Sequence, residues 1–385
     1  MRKILSLALL LAACAASPRF GETGGGSTPS LPAPIVTVIP ATLTPTVTSV
    51  PTSTPTVEGW MFPFTIEGLR HHEFASGKVR VGEVLEQTDD YTRYSIDYPS
   101  DSLTITGVMQ VPAQGEPPFP VIVMNHGYFN RGDFLSGDGT DRAAEYLNRH
   151  GYLTLSPDYR SWGGSDAGPS LFYSGLAIDV INLLDAISSI PQADPNRVGL
   201  WGHSMGGGVT MKVLAILGGR VAPSGASGRI ETTVRAAVLY STVSADHADL
   251  ITRWGLGCIG DIAEGELSLG CNSSDIVPLD LPPGLIEAYH IAAASPGLMR
   301  QISPIHHLDL VTVPVQIHYG TADGDFIGGT PPEWSRKLYD AFVEAGRDAE
   351  LFAYEDERHS FVGDAWVAFM ERSAHFFDKY VKNMP

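Results

Sequence analysis

Polar and apolar residues alternate along the first part of the chain that carries a pattern. Residues 74–85, 91–98 and 103–111 show the period-two rhythm of half-buried antiparallel strands, as in Tyr94-Ser95-Ile96-Asp97-Tyr98. The rhythm then changes. Val121-Ile122-Val123-Met124 is a continuous apolar run, which suits a parallel strand covered on both faces. Helical spacing predicts a helix over 141–150 and a longer one over 173–190, with Leu176, Val180, Leu183, Leu184 and Ile187 turned inward and a strand over 152–156 between them. A short buried strand over 197–201 leads into a helix over 207–217 with Val209, Val213, Leu214 and Leu217 at helical spacing. Strands over 234–240, 315–319 and 350–354 follow, with helices over 334–345 and 366–380. Strands alternating with helices mean an α/β fold, a mostly parallel sheet wrapped on both faces. No internal repeat is visible, which excludes a propeller or a solenoid.

Residues 243–302 interrupt this alternation. The segment contains Trp254, Cys258, Cys271, Pro282-Pro283 and a helix pattern over 285–294, and is long for a connection without a role of its own. We expect a cap over an active site. Cys258 and Cys271 are the two cysteines downstream of Cys14, and in an exported protein they are expected to pair, two free buried thiols being the alternative. A metal is disfavoured, because no third soft ligand stands at ligand spacing.

The amino-terminal region has a different composition. Arg2 and Lys3 precede a ten-residue apolar stretch over 4–13, too short to span a bilayer, and this is the pattern of a signal peptide. It ends in Leu11-Ala12-Ala13-Cys14, which resembles the lipobox of bacterial lipoproteins. That resemblance implies removal of residues 1–13 and lipidation of Cys14, hence membrane attachment outside the cytoplasm; simple secretion is the alternative. Residues 14–59 are rich in Pro, Thr, Ser and Gly and cannot form a core, so they are expected to be a disordered stalk. At about 3.1 Å per residue for proline-rich chain, a stalk of about 40 residues reaches roughly 100 Å. The folded domain is expected over 60–385. A formal charge of −18 without a basic cluster excludes nucleic acid as a partner.

The chemistry centres on Gly202-His203-Ser204-Met205-Gly206. Gly-x-Ser-x-Gly between a strand and a helix is the pattern of a serine on a strained turn, where side chains at the two glycines would clash. A serine hydroxyl is a weak nucleophile and needs a histidine to take its proton and a carboxylate to orient that histidine. Asp323 follows an apolar strand, in the loop at the strand's carboxyl end where active sites of open α/β sheets gather; Asp325 is its rival two residues on. His359, after the last strand and before the last helix, is the expected base. His318 reads as a satisfied core or rim histidine, His375 as a helix-surface residue, and His203 as pointing elsewhere on the elbow. Backbone N–H groups of Met205 and Tyr128 are the expected oxyanion donors, with the Tyr128 ring a wall of the acyl pocket.

Four patterns carry a family resemblance: Asn125-His126-Gly127; Asp158-Tyr159-Arg160 followed by Gly163-Gly164-Ser165; Gly202-His203-Ser204-Met205-Gly206-Gly207; and Ser303-Pro304 leading to His318-Tyr319-Gly320-Thr321-Ala322-Asp323. With them, residues 121–380 resemble an α/β-hydrolase, and most of all the catalytic domain of the prolyl oligopeptidase family and the related dienelactone-hydrolase-like and acyl esterases. The resemblance implies a triad of Ser204, Asp323 and His359. Two departures stand out. The amino-terminal propeller of the true oligopeptidases is missing, and the histidine more usual at Tyr319 stands at 318. The expected activity is serine hydrolysis of a small carboxylic ester or short peptide through an acyl-enzyme, with no cofactor. A non-catalytic surface binding protein, or an acyltransferase or perhydrolase, are the alternatives.

Overall fold

The computed structural model describes residues 56–74, 77–218, 232–260 and 271–383. The expected signal peptide, Cys14 and all but the last residues of the expected stalk lie outside them.

In chain order the strands are β1 (Arg80–Gln87), β2 (Tyr91–Ser100), β3 (Leu103–Pro112), β4 (Phe119–Asn125), β5 (Leu153–Pro157), β6 (Ala193–His203), β7 (Val234–Tyr240), β8 (Leu256–Ile259), β9 (Cys271–Val277), β10 (Val315–Gly320) and β11 (Ala349–Tyr354). The helices are α1 (Val57–Met61), α2 (Ile66–Arg70), α3 (Asp141–Arg149), α4 (Ser174–Ala186), α5 (Met205–Leu217), α6 (His247–Trp254), α7 (Pro283–Ala293), α8 (Pro296–Ile302), α9 (Pro332–Glu344) and α10 (Gly363–Phe377). Nine strands form one sheet in the order β1-β2-β3-β5-β4-β6-β7-β10-β11. The first three pair antiparallel, as does β3 with β5, and the six from β5 to β11 run parallel.

The apolar run of β4 behaves as its composition dictates. Val121 and Val123 enter one apolar layer with Leu176, Val180 and Leu183 of α4 and Val209 and Val213 of α5. Ile122 and Met124 enter the opposite layer with Ala143 and Leu147 of α3 and Phe369 and Phe377 of α10. Side chains alternate across a strand, so a strand sandwiched between two helix layers must be apolar at every position. Each such side chain contributes about 1.5–3 kcal/mol by leaving water.

The edge of the sheet departs from the sequence reading. The strand runs over Arg80–Gln87 rather than the expected 74–85, and every residue of β1 is exposed. The pairing of β1 with β2 shifts register twice, between Val81 and Val84 and between Val84 and Glu86. The alternation breaks at the adjacent Val84 and Leu85, and no layer covers the strand; Phe74 and Val79, before it, are the residues that reach the core.

A third apolar cluster belongs to the insertion. Val277, Leu285, Ala288, Tyr289, Ala292, Leu298, Met299 and Ile302 pack with Leu171, Phe172 and Met61, and Val57 and Trp60 lie against them. Helix α1 therefore begins before the expected domain start at Trp60. Thr56 caps it, its hydroxyl accepting the N–H of Gly59 at 3.1 Å, and the apolar residues that follow dock on the insertion. Strands β8 and β9 pair parallel, and a disulfide joins Cys258 to Cys271, whose Cα atoms lie 5.1 Å apart. Among the described residues no helix is long and apolar enough to cross a membrane.

Candidate active site

Strand β6 ends at His203 and helix α5 starts at Met205, which leaves Ser204 alone on the turn between them. Its φ is 55° and ψ −121°, a conformation costly for any residue with a Cβ. Neighbours hold it there. Ser204 N–H donates to Tyr240 O (3.0 Å), and Ser204 O accepts from Gly207 N (3.0 Å) and Val243 N (3.1 Å). The two motif glycines approach as the spacing requires: a Cβ on Gly202 would lie 2.4 Å from Gly206 O, and one on Gly206 would lie 2.0 Å from Asn125 O. Buried Asn125 seals the joint, its Nδ2 donating to Thr210 Oγ1 (2.8 Å), which donates in turn to Gly206 O (2.7 Å). Ser204 is largely buried, with 9% of its surface exposed.

The acid and base candidates arrive on the loops after β10 and β11. Ala322 N–H donates to Glu357 O (3.0 Å), Thr321 N–H to Tyr354 O (2.9 Å) and Asp356 N–H to Thr321 Oγ1 (2.9 Å), so the two loops are zipped together by backbone bonds. His359 Nδ1 lies 2.9 Å from Asp323 Oδ2 and 3.2 Å from Oδ1. The Asp323 carboxylate is fully buried and the imidazole largely so. Thr330 completes the arrangement: its N–H donates to Asp323 Oδ1 (2.9 Å), and its hydroxyl lies 2.6 Å from Oδ2 and 3.0 Å from Ser241 O. Burial alone would raise the Asp323 carboxyl, but the hydrogen bond and charge of His359 and the two donors of Thr330 outweigh it and hold the group below the usual carboxylate range. Asp325, the rival, is exposed.

Gly127 lies on the other side of the serine, where a Cβ would come within 3.1 Å of Ser204 Cβ. Tyr128 is the next residue, half-buried, with its ring edge-on to Trp162 at 6.3 Å. Met205, the first residue of α5, is buried. The insertion reaches both loops. Arg131 Nη2, beyond Tyr128, donates to Ser273 O of β9 (2.9 Å). Arg253 Nη2 of α6 donates to Gly324 O (3.1 Å) and Phe326 O (2.7 Å), and Trp254 Nε1 to Ile327 O (2.6 Å), in the segment between Asp323 and Thr330.

His318 is fully buried in the sheet, its nitrogens 2.9 Å from Tyr354 Oη and 2.8 Å from Gln316 Oε1, and His375 is exposed on α10. His203 does not point away from the site: its Nε2 donates to the backbone carbonyl of His359 (3.1 Å), and the two rings lie 4.8 Å apart. The direction of that side chain depends on the loop that carries His359, 156 positions away, which no local pattern encodes. Thr330 is a residue the sequence reading missed, since its partner stands seven positions away across a glycine-rich loop. The Asp158-Tyr159-Arg160 pattern is scaffold: Arg160 Nη2 binds the buried carboxylate of Asp179 at 2.8 Å, and Asp158 accepts from Thr106 and Ser136 hydroxyls, each at 2.6 Å.

These features can be set beside known proteins. A lysophosphatidylserine lipase, ABHD12, of Xenopus tropicalis is 36% identical over 105 residues, 27% of this chain. The match spans only 25% of that relative's length. Among solved structures, an acetyl xylan esterase from Paenibacillus sp. R4 superposes with a TM-score of 0.55 at 16% identity, covering 85% of this chain and 96% of that one. The acylaminoacyl peptidase of Pyrococcus horikoshii gives 0.51 at 18% identity, over 77% and 42%. At these identities the likeness is one of fold. The model of the alpha/beta hydrolase family matches residues 121–372, well over half the chain, from the start of the central parallel strand to the last helix. The chain belongs to the alpha/beta hydrolase family.

Proposed function

We propose that the protein is a serine hydrolase that cleaves carboxylic esters through an acyl-enzyme. The observation that carries this is the buried Asp323 carboxylate held on His359 Nδ1 at 2.9 Å, on loops at the same end of the sheet as the strained Ser204 turn. With Nδ1–H committed to Asp323, Nε2 carries the lone pair and can take the proton of Ser204 as its oxygen attacks a carbonyl. The oxyanion is then met by the N–H groups of Met205 and Tyr128. His359 returns the proton to the departing alcohol, and water repeats the sequence on the acyl-enzyme. Hydrolases of this fold include the esterase and the peptidase described above. An ester is favoured because an alkoxide leaves more readily than an amine, with a short peptide as the second substrate. We read the insertion at 243–302 as a cap, given its bonds to the loops that carry Asp323 and Tyr128.

A nitrophenyl ester should give a burst of nitrophenol in the wild type. The burst should vanish in Ser204→Ala, with turnover down by up to about a million-fold; an unchanged rate ends the reading. Failure to react with a fluorophosphonate would favour a non-catalytic binding protein, and product analysis with alternative acceptors separates hydrolysis from acyl transfer or perhydrolysis. The same proposal makes the protein exported and anchored through lipid on Cys14. Incorporation of palmitate that persists in Cys14→Ser would refute that part.

A further inference from the structure

The loop that carries His359 is gripped from the nucleophile's side. His203, the last residue of β6, donates through Nε2 to the carbonyl of His359 (3.1 Å). Tyr240, the last residue of the neighbouring β7, accepts the N–H of Phe361 on its hydroxyl. The two side chains support each other. The His203 ring stacks on that of Tyr240 at 4.4 Å and 25°, and Tyr240 stacks on Phe369 of α10 at 4.5 Å and 29°. Phe361, almost fully buried, closes edge-on against Tyr240 at 4.7 Å. The backbone on either side of exposed Ser360 is thus fixed to the ends of two adjacent sheet strands.

We propose that His203 is a positioning residue for the general base. It holds the backbone of His359 while Asp323 holds the ring, and Tyr240 pins the loop one residue further on. This rests on the reading of His359 as the base. An imidazole anchored only through Nδ1 can still swing about that bond as its backbone shifts. A second anchor at its own carbonyl fixes where Nε2 points relative to Ser204. Displacements of about 1 Å in such geometry cost on the order of 100-fold in rate.

The chemistry of His203 suits the task. To donate to a carbonyl it must carry its proton on Nε2. Although the residue keeps some exposed surface, its ring is enclosed between Tyr240 and His359; burial first, and then the charge of His359, hold its pKa down to about 3. It therefore remains a neutral donor across the working range. A second imidazolium 4.8 Å from His359 would oppose the charge that the base acquires in each turnover.

The test uses the full chain and a nitrophenyl ester, with a fluorophosphonate labelling rate as the second measure. His203→Leu, which fills the space without a donor, should lower kcat by about 10- to 100-fold with KM within about threefold. His203→Gln, which restores an N–H at similar reach, should recover most of that loss. Tyr240→Phe should lower kcat in the same sense, and it carries the test if the leucine variant does not fold, because it removes a single oxygen. A folded His203→Leu or Tyr240→Phe with wild-type kcat overturns the proposal, and so does a glutamine variant no better than the leucine one. A wild type that neither turns over the ester nor reacts with the probe overturns the proposed function as well; a reactive wild type with unaffected variants overturns this proposal alone.

Discussion

Exchanging Asp323 for asparagine separates the catalytic reading from a structural one. The carboxylate has three donors around it: Thr330 N–H on Oδ1, and the Thr330 hydroxyl and His359 Nδ1 on Oδ2. An amide placed with its oxygen at Oδ1 keeps the Thr330 N–H. Its NH2 then faces the Thr330 hydroxyl, which can turn its proton to Ser241 O at 3.0 Å and accept instead. The fold thus has a way to accommodate the amide's hydrogen-bonding pattern, at a cost of about 1–3 kcal/mol for the lost charged bonds. The imidazole does not. Facing an N–H donor, Nδ1 must become the acceptor, the proton moves to Nε2, and Nε2 can no longer take the proton of Ser204. Wrong-tautomer variants of this kind in a serine protease lose about 10⁴ in kcat, close to 5.5 kcal/mol of barrier. The assay is kcat on a nitrophenyl ester beside a thermal unfolding curve, with the exposed Asp325→Asn as control. A folded Asp323→Asn within tenfold of wild type, or a greater loss in Asp325→Asn, refutes the reasoning.

Other expectations follow from the same geometry. Thr330→Val removes the hydroxyl that Ser241 O and Asp323 Oδ2 share, so it should lower stability by about 1–2 kcal/mol and kcat by about tenfold, checked by denaturant titration and kinetics. Because the folded pKa of Asp323 is depressed, its ionisation is retained above the ordinary carboxylate value and lost only as pH falls through the lower folded one. The carboxyl should therefore cause no loss of wild-type kcat/KM at or above the ordinary carboxylate value, and a pH profile that falls with the carboxyl above that value would refute this. His203 has a linkage of the same sign over a different window. With a folded pKa of about 3 against an ordinary 6.5, the unfolded chain binds the extra proton, so stability falls as pH drops from 6.5 towards 3. The thermal midpoint of wild type relative to His203→Gln should decline over that window, and a constant difference would refute the linkage. Replacing Cys258 and Cys271 by serine opens a link between positions 13 apart and should lower stability by about 2–3 kcal/mol on the chain-entropy estimate, read from unfolding curves with and without reductant.

What the sequence made legible follows from how local each signal is. Strands β4, β6, β7 and β10 could be read from their apolar stretches, such as 121–124 and 236–239, because strands buried on both faces are predominantly apolar, and 234–240 appears in the structure with those bounds. The Ser204 turn could be read because its glycines sit where backbones approach too closely for a Cβ. Strand β1 could not be read correctly, since its Val81, Val84 and Leu85 are apolar like covered positions yet face water at the sheet edge. Within the insertion, the helix over 285–294 was visible as α7, whereas β8 is four residues long and gives no period to recognise. Thr330 and the direction of His203 escaped for one reason: both depend on which loops meet at the end of the sheet, and neither loop states its partner in its own sequence.

Docking of α1 on the insertion bears on how the chain is made. Trp60 and Met61 belong to the first helix among the described residues, but most of the surface that covers them, Leu285, Ala288 and Tyr289 on α7, comes much later in the chain. At translation rates of roughly 5–20 residues per second, about 220 residues separate the two, so the helix waits on the order of ten to forty seconds for its partner. Through that interval only Leu171 and Phe172 of the third apolar cluster's other buried residues are at hand to cover its apolar face. Chains arrested or truncated before α7 should hence be the aggregation-prone species in biosynthesis, even when the residues around Ser204 are already in place.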